Sequence, residues 1–305
     1  MPTQYYFSGA QGDRDSMEDV HLATDDKESG WQLFAVCDGH AGKSVVKEVE
    51  KRLPSALLEP LRKVYLDRKN NPMLSTTESK EILRKAVINL DLDIFKVVKG
   101  RGRSSGCTLV AALLHPVTRQ LIFINVGDSR AVYQQNESDG INDSKETKAG
   151  GNNNQKYIRL VETRDHKPND AIESKRVRAA GSFVQGNRVG GILAMSRAMG
   201  DFPLKKSKDL PYDPISGAVC ADPDIYVGKV HKSGGTIVLA CDGIWDVLPS
   251  ASVIQHAKES YATYRSAGAE GSKKMHNPAK SLVHLAYNKG STDNMTALVV
   301  IVPSA

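Results

Sequence analysis

Two apolar segments roughly two hundred residues apart end on the same three residues, Cys-Asp-Gly, and this repetition limits how the chain can fold. Residues 34–39 read FAVCDG, and residues 238–243 read VLACDG. A single Asp-Gly after a strand is ordinary turn chemistry, because Asp bonds its own backbone and Gly permits tight turns. Two such ends on neighbouring strands would bring carboxylates together, and converging carboxylates favour a bound metal ion.

The remaining apolar pattern predicts antiparallel sheets covered by helices. Apolar residues at intervals of three and four predict amphipathic helices at residues 43–66, 78–98, 252–264 and 278–288. Segments rich in branched residues predict strands at residues 107–115, 120–126, 130–135, 156–161, 235–242 and 294–302. The NVGDSRA segment between two of these strands has a Gly-Asp turn, which predicts a hairpin. Hairpins without strict β-α-β alternation are typical of antiparallel sheets.

Composition narrows the class of protein. The 305 residues are 40% hydrophobic and 25% charged, as in soluble globular proteins, and this length allows one large domain or two small ones. The net charge of +6 is spread along the chain, so we expect no nucleic-acid partner. No apolar run of about 18 residues exists, and no secretory signal is recognisable, so we expect no membrane contact and a cytoplasmic or nuclear location.

Two further features carry structural expectations. The four cysteines lack metal-binding spacing, so we expect reduced thiols that fill core positions. Residues 134–156 are almost devoid of apolar side chains, and we predict a long loop that extends a hairpin there.

Acidic residues recur in short polar segments beside the predicted strands. They are Glu18, Asp19, Asp38, Asp165, Asp201, Asp242, Asp246 and Asp293. A cluster rich in carboxylates and poor in histidine suits Mg²⁺ or Mn²⁺ better than zinc or copper. Turn residues, helix caps and solvated charge pairs are the competing interpretations of these acids.

Eight short segments of the chain, taken in order, resemble the motifs of one known family. RDSMEDVH, VCDGHAG, SGCT, NVGDSRA, DHKP, LAMSRAMGDF, ACDGIWDV and TDNMT are similar to motifs of the metal-dependent protein serine/threonine phosphatases, the type 2C or PPM family. The resemblance runs from Gln11 to Val302 and therefore implies a single catalytic domain over residues 1–305. It implies an α+β fold, a four-layer α-β-β-α sandwich of two antiparallel sheets flanked by helices, with a dinuclear metal centre at one end.

The resemblance also implies metal ligands. Asp38 would bridge two Mg²⁺ or Mn²⁺ ions, with Asp242 and Asp293 completing one site. Glu18 and the carbonyl of Gly39 would complete the other site. Asp19 would hold metal-bound water without touching the ions.

Other residues receive roles from the same resemblance. Arg14 would bind the substrate phosphate, since a guanidinium offers two parallel hydrogen bonds, and His40 would be the general acid. Asp165 and Asp246, with Asp242, would form an optional third metal site. A surface arginine, a loop histidine without a catalytic duty and structural aspartates are the respective alternatives. The structural interpretation is favoured for three other residues of the motifs, Asp128, His166 and Asp201.

The residue types limit the mechanism. No cysteine lies in a phosphate-binding loop and no Ser/His/Asp set is apparent, which argues against a covalent phosphoenzyme. We expect a monomer that hydrolyses phosphoserine and phosphothreonine in phosphoprotein substrates, by attack of a hydroxide that bridges two metal ions. A regulatory pseudophosphatase and a dinuclear hydrolase of small phosphoesters are the alternatives. In the 203–224 segment, Lys205, Lys206 and Lys208 suggest a preference for acidic phosphopeptides.

Overall fold

A computed structural model describes residues 2–68, 73–136, 160–206, 212–268, 271 and 276–305. The strands in these ranges are β1 (Gln4–Ala10), β2 (Val20–Asp25), β3 (Gln32–Cys37), β4 (Gly39–His40), β5 (Gly106–Cys107), β6 (Leu109–His115), β7 (Gln120–Val126), β8 (Arg130–Gln135), β9 (Leu160–Glu162), β10 (Val184–Gln185), β11 (Arg188–Val189), β12 (Met199–Gly200), β13 (Asp224–Lys229), β14 (Gly235–Ala240) and β15 (Met295–Val302). The helices are α1 (Ser44–Asp67), α2 (Thr76–Val97), α3 (Ala171–Ala179), α4 (Asp242–Trp245), α5 (Ser250–Ser266) and α6 (Pro278–Asn288). The predicted long helices and most predicted strands are confirmed within a few residues.

Two five-stranded antiparallel sheets form the centre of the fold. The first has the strand order β1-β15-β14-β8-β9, and the second has the order β13-β7-β6-β3-β2. Helices α1 and α2 cover the second sheet, and α5 and α6 cover the first. The predicted α-β-β-α sandwich is therefore confirmed. That residues 1–305 make a single domain stays a prediction.

Three apolar layers hold the sandwich together. Along β3, Leu33 and Ala35 pack in the layer toward α1 and α2, whereas Phe34 and Val36 pack between the sheets. Side chains of a strand alternate between faces, so both faces of β3 are buried. Burial on both faces explains why the central strands are continuous apolar runs. The four cysteines are free and buried, which confirms that they fill core positions.

The chain crosses from one sheet to the other between β7 and β8. Strand β7 pairs with β6 and β13, whereas β8 pairs with β14 and β9. The predicted hairpin at NVGDSRA is therefore wrong, although the turn exists: Gly127 has a φ of +114°, a value that glycine adopts without strain. The crossover places Asp128 between the ends of both sheets. The hairpin predicted around residues 134–156 does exist as the β8–β9 pair, and residues 137–156 lie outside the described ranges.

A small third sheet lies beside the ends of the large ones. Its strand order is β12-β5-β4, and its register aligns Gly200, Gly106 and His40 in one row.

None of the helices in the described ranges has the length and apolarity needed to cross a bilayer.

Candidate metal centre and active site

The ends of both sheets bring five acidic residues to one edge of the sandwich. Pairing of Val20 with Cys37 places Asp19 beside Asp38. Pairing of Ala240 with Ala297 places Asp242, which begins α4, near Asp293, which precedes β15. Asp128, at the crossover, completes the group. In an antiparallel pair, the start of one strand lies beside the end of its neighbour. The polar residues that flank these apolar strands therefore meet at one edge of the sandwich.

Two of these carboxylates are strongly disfavoured as anions. Burial raises the pKa of Asp38 well above its ordinary value, and the charges of Asp19, Asp242 and Asp128 raise it further. Burial, followed by the charges of Asp128 and Asp246, raises the pKa of Asp242 to about 7. Such mutual repulsion in a buried cluster is relieved when a divalent cation binds.

Asp19 is a buried member of the cluster. It is 8% exposed, and among the described residues neither of its carboxylate oxygens has a hydrogen-bond partner. Burial is the main cause that raises the pKa of Asp19 to about 6. Buried polar atoms without a protein partner are usually satisfied by water or an ion. The oxygens of Asp19 therefore fit a role in holding water beside a metal ion.

The donor set fits a hard cation. Ligand atoms of Asp19, Asp38 and Cys241 all lie within 4.8 Å of one another. Burial raises the pKa of the Cys241 thiol well above its ordinary value, and its Sγ donates a hydrogen bond to the carbonyl of Asn294. Because the thiol stays protonated, the ligands offered are oxygens, as Mg²⁺ and Mn²⁺ prefer.

Backbone contacts set the positions of Asp38 and Glu18. Thr108 donates to the Asp38 carbonyl from its amide and accepts from the Asp38 amide at Oγ1, both at 2.9 Å. Asn294 accepts from the Glu18 amide at 2.7 Å and donates to the carbonyls of Gln11 and Ser16. The TDNMT motif therefore organises the 11–18 segment, a role that the sequence did not suggest for Asn294.

Gly39 lets the chain approach Glu18. A Cβ at position 39 would lie 2.5 Å from the carbonyl oxygen of Glu18, so only glycine fits there. The Glu18 carboxylate accepts from the hydroxyl of Ser16 at 3.0 Å and from the amide of Gly42 at 3.2 Å. Glu18 and Gly39 are thus brought together beside Asp38.

Arg14 lies at the mouth of the cluster. Its Nη2 donates to Oδ2 of Asp293 at 2.6 Å, and its side chain is 62% exposed. The hydrogen bond to Asp293 is the main cause that raises the pKa of Arg14. The remaining donors of the guanidinium are open to an incoming anion.

The carboxylate of Asp201 holds the imidazole ring of His40. Its Nε2 lies 2.8 Å from Oδ2 of Asp201, while Nδ1 has no hydrogen-bond partner among the described residues. Burial lowers the pKa of His40, but the hydrogen bond and charge of Asp201 outweigh burial and raise it above the ordinary value. Asp201, for which the sequence favoured a structural role, is thus in direct contact with the histidine.

Comparison with known proteins assigns this arrangement to a family. The protein phosphatase 2C family model matches residues 3–295. The chain belongs to the protein phosphatase 2C family. This confirms the resemblance seen in the sequence.

Individual relatives agree with the family assignment. The chain is 30% identical over 312 residues to protein phosphatase ppm-1.A of Caenorhabditis elegans, covering 99% of this chain and 60% of that protein. It is 31% identical to protein phosphatase 1L of Bos taurus, covering 95% of this chain and 70% of that protein. The crystal structure of a phosphatase from Toxoplasma gondii has a TM-score of 0.73 at 23% identity, with 99% and 93% of the two chains covered. The chain thus spans less than two thirds of the first relative.

In this member of the protein phosphatase 2C family, Asp165 and Asp128 have different neighbours. Arg130 donates two hydrogen bonds to the Asp165 carboxylate, at 2.9 and 2.7 Å. Asp128 is buried, and its charge raises the pKa values of Asp38, Asp242 and Asp246, although burial is the larger cause in each. The sequence favoured a structural role for Asp128, although it lies two residues after the end of β7, a position similar to that which singled out Asp38.

The other predicted residues are found as follows. Asp246 is exposed one turn after Asp242. His166 is buried, accepts from the Gly127 amide at Nδ1, and lies 3.3 Å from Asp224 through Nε2, so the structural interpretation fits it. Lys205 is fully buried and paired with Asp91 at 2.6 Å. The hypothesis that Lys205 attracts acidic phosphopeptides is therefore wrong, because its charge does not reach the surface. Lys206 is exposed, and Lys208 lies outside the described ranges.

Proposed function

We propose that the chain is a metal-dependent protein serine/threonine phosphatase that hydrolyses phosphoserine and phosphothreonine. The observation that carries this proposal is the group formed by the buried Asp19 and the partly exposed Asp38 and Asp242 at the ends of the sheets, whose pKa values are all raised. Arg14 and His40 border this group, so a cation site, an anion-binding side chain and an acid lie side by side. These three kinds of group together suit metal-assisted hydrolysis of a phosphate monoester.

The ligands proposed for the two ions follow from this arrangement. Asp38 would contact both ions, Asp242 and Asp293 would complete one site, and Glu18 with the Gly39 carbonyl would complete the other. Bound Mg²⁺ or Mn²⁺ would activate a water molecule for attack on phosphorus and neutralise charge on the phosphoryl oxygens. The unpartnered oxygens of Asp19 support its proposed part in orienting that water.

Arg14 would bind the phosphate group of the substrate. One of its terminal nitrogens is engaged by Asp293, which fixes the guanidinium at the mouth of the cluster. Its 62% exposure leaves donors free for two parallel hydrogen bonds to phosphate oxygens. A bound phosphate would thus sit between the carboxylate cluster and the positive side chain.

His40 would protonate the departing serine or threonine oxygen. Asp201 engages Nε2 and stabilises the protonated ring, which keeps a proton available on His40. An alkoxide is a poor leaving group, and its departure therefore depends on a positioned acid.

The decisive test measures phosphate release from a phosphothreonine peptide, with Mn²⁺ present and again with excess chelator. We expect turnover that requires the metal and that is lost in Asp38→Asn. A protein that binds the peptide and Mn²⁺ without releasing phosphate would be a pseudophosphatase. Equal or faster hydrolysis of nucleotides would instead indicate a hydrolase of small phosphoesters. Sedimentation of the same sample tests the expected monomer.

A further inference from the structure

The pair formed by His40 and Asp201 is held in place by residues that lie far from the carboxylate cluster. Asp201 has a φ of +49°, in the left-handed region that a non-glycine residue adopts only when its surroundings enforce it. Its amide donates to the carbonyl of Ser105 at 3.0 Å. The orientation of Asp201, and through it of the His40 ring, therefore depends on restraints from neighbouring segments.

Glycines make room for this pair. A Cβ at Gly106 would overlap both Oδ2 of Asp201 and Nε2 of His40. Gly200 has a φ of +77°, and a Cβ there would lie 2.6 Å from the Ser105 carbonyl. The space on the Gly106 side of the two side chains is thus filled, and a small displacement of the Gly200–Asp201 backbone would change the His40–Asp201 distance.

The restraint on this backbone comes from Asp91 in the middle of α2. Asp91 is fully buried, and its Oδ1 accepts from the amide of Gly200 at 2.7 Å. Its Oδ2 accepts from Nζ of Lys205 and from the hydroxyl of Tyr212, both at 2.6 Å. One carboxylate therefore connects the residue before Asp201 with two residues that follow it.

Aromatic rings enclose this buried carboxylate. Phe95 stacks on Tyr212 with ring centroids 4.2 Å apart, and Phe202 meets the Phe95 and Tyr212 rings edge-on. Lys205 is also fully buried. Two charged groups that form a buried ion pair lose their hydration, and their mutual attraction hardly offsets this cost in free energy. The pair therefore adds little net stability and acts mainly by fixing local geometry. The geometry it fixes here is that of the turn carrying Asp201.

We propose that Asp91 is a positioning residue for His40, acting through Gly200 and Asp201, with Lys205 and Tyr212 holding its carboxylate. This inference rests on the proposed role of His40 as the proton donor. Asp91 touches neither the metal ligands nor Arg14 in any described hydrogen bond, so its loss should affect the proton transfer and not metal or phosphate binding.

Two matched double variants test the hydrogen bond to Gly200. Asp91→Leu with Lys205→Met removes the ion pair, fills the space with apolar groups and leaves the Gly200 amide and the Tyr212 hydroxyl without their acceptor. Asp91→Asn with Lys205→Met also removes the ion pair but keeps an amide oxygen for Gly200. Replacing a buried ion pair with apolar groups of similar volume is often neutral for stability, so both proteins should fold.

We expect the Leu/Met variant to lower kcat for a phosphoserine peptide by about 10- to 100-fold, as a misplaced catalytic group does. Its KM, its Mn²⁺ affinity and its hydrolysis of p-nitrophenyl phosphate should stay within about threefold of wild type, because p-nitrophenolate leaves without a proton. The Asn/Met variant should retain the peptide kcat. Equal kcat values in both variants, or parallel loss on both substrates, would overturn the proposal.

A measurement on the metal-free protein separates this proposal from the proposed function. In the Leu/Met variant, the NMR signals of the His40 ring should move toward their positions in Asp201→Asn, while the Asn/Met variant keeps them near wild type. Tyr212→Phe, which keeps the ring and removes one hydrogen bond, should produce a smaller shift in the same direction. Unmoved His40 signals in the folded variants would refute the positioning role. Absence of peptide turnover in the wild type would refute only the proposed function.

Discussion

The ammonium group of Lys167 lies 2.6 Å from Oδ2 of Asp128, at the point where the chain crosses between the two sheets. Burial lowers the pKa of Lys167, but the charge of Asp128, with those of Asp242 and Asp246, outweighs burial and raises it. Oδ1 of Asp128 has no hydrogen-bond partner among the described residues. Asp128 therefore presents one free oxygen on the side of the cluster that Asp242 and Asp246 occupy.

This relationship predicts that Asp128 matters more for metal binding than Asp165 does. We expect Asp128→Asn to weaken the apparent affinity for Mn²⁺ by about tenfold or more, within the range typical of residues that support metal ligands. Asp165→Asn is the matched control, because its carboxylate is already neutralised by Arg130. Calorimetric titration measures both. A larger loss in Asp165→Asn would contradict this prediction and favour the third metal site formed by Asp165, Asp246 and Asp242 that the family resemblance implies.

Asp242→Asn tests the central cluster. The substitution keeps the size of the side chain but replaces a charged ligand with a neutral amide. We expect it to lose at least one metal ion and most phosphatase activity, while the metal-free protein remains folded and melts at the same or a higher temperature. Asp246→Asn, an exposed neighbour, should act mainly at low metal concentration. Unchanged Mn²⁺ binding in Asp242→Asn would contradict the proposed ligand set.

The raised carboxylate pKa values predict how stability depends on pH. Asp19 and Asp242 have pKa values of about 6 and about 7 in the fold, against an ordinary value of 3.8. Between pH 3.8 and about 7, the folded state therefore binds more protons than the unfolded chain. The stabilisation that comes from protonating Asp19 and Asp242 in the fold is present at low pH and is lost as the pH rises toward 8. Each group contributes up to about 1.4 kcal/mol per pH unit within its window.

Histidines with lowered pKa values, such as His115 and His166, act in the opposite direction, so the wild type must be compared with a variant. We expect the free energy of unfolding of the metal-free wild type to fall more steeply from pH 5 to pH 8 than that of Asp242→Asn. Saturating Mg²⁺ should reduce the difference between the two slopes. Identical slopes in chemical denaturation would show that Asp242 is ionised at no cost in the fold.

His40→Ala tests the proton donor. We expect hydrolysis of a phosphoserine peptide to fall by about 10²–10⁴-fold, the usual worth of a positioned acid, with much more of the p-nitrophenyl phosphate activity retained. Asp201→Asn should change the hydrolysis rates of both substrates in the same direction as His40→Ala does, but less strongly, because the imidazole ring remains. Equal losses on both substrates would make His40 a residue of site architecture, and no loss on either would remove it from the mechanism.

Much of the fold followed from the sequence alone. The apolar runs predicted most of the long strands, and the helices at 43–66 and 78–98 followed from their apolar spacing, as α1 and α2 confirm. The two Cys-Asp-Gly ends also indicated converging carboxylates. These features depend on local periodicity, and a strand end carries its polar residue to the sheet edge whatever its neighbours are.

The tertiary structure decided which side chains meet there. The same Gly-Asp turn serves a hairpin or a crossover between sheets, and only the pairing of β7 and β8 with different partners put Asp128 beside Asp242. Likewise, the fold pairs Arg130 with Asp165, Asp201 with His40, and the buried Asp91 with the buried Lys205. Each pairing joins residues at least 35 positions apart. Charge and hydrogen-bond complementarity act through space, so they cannot be deduced from local spacing along the chain.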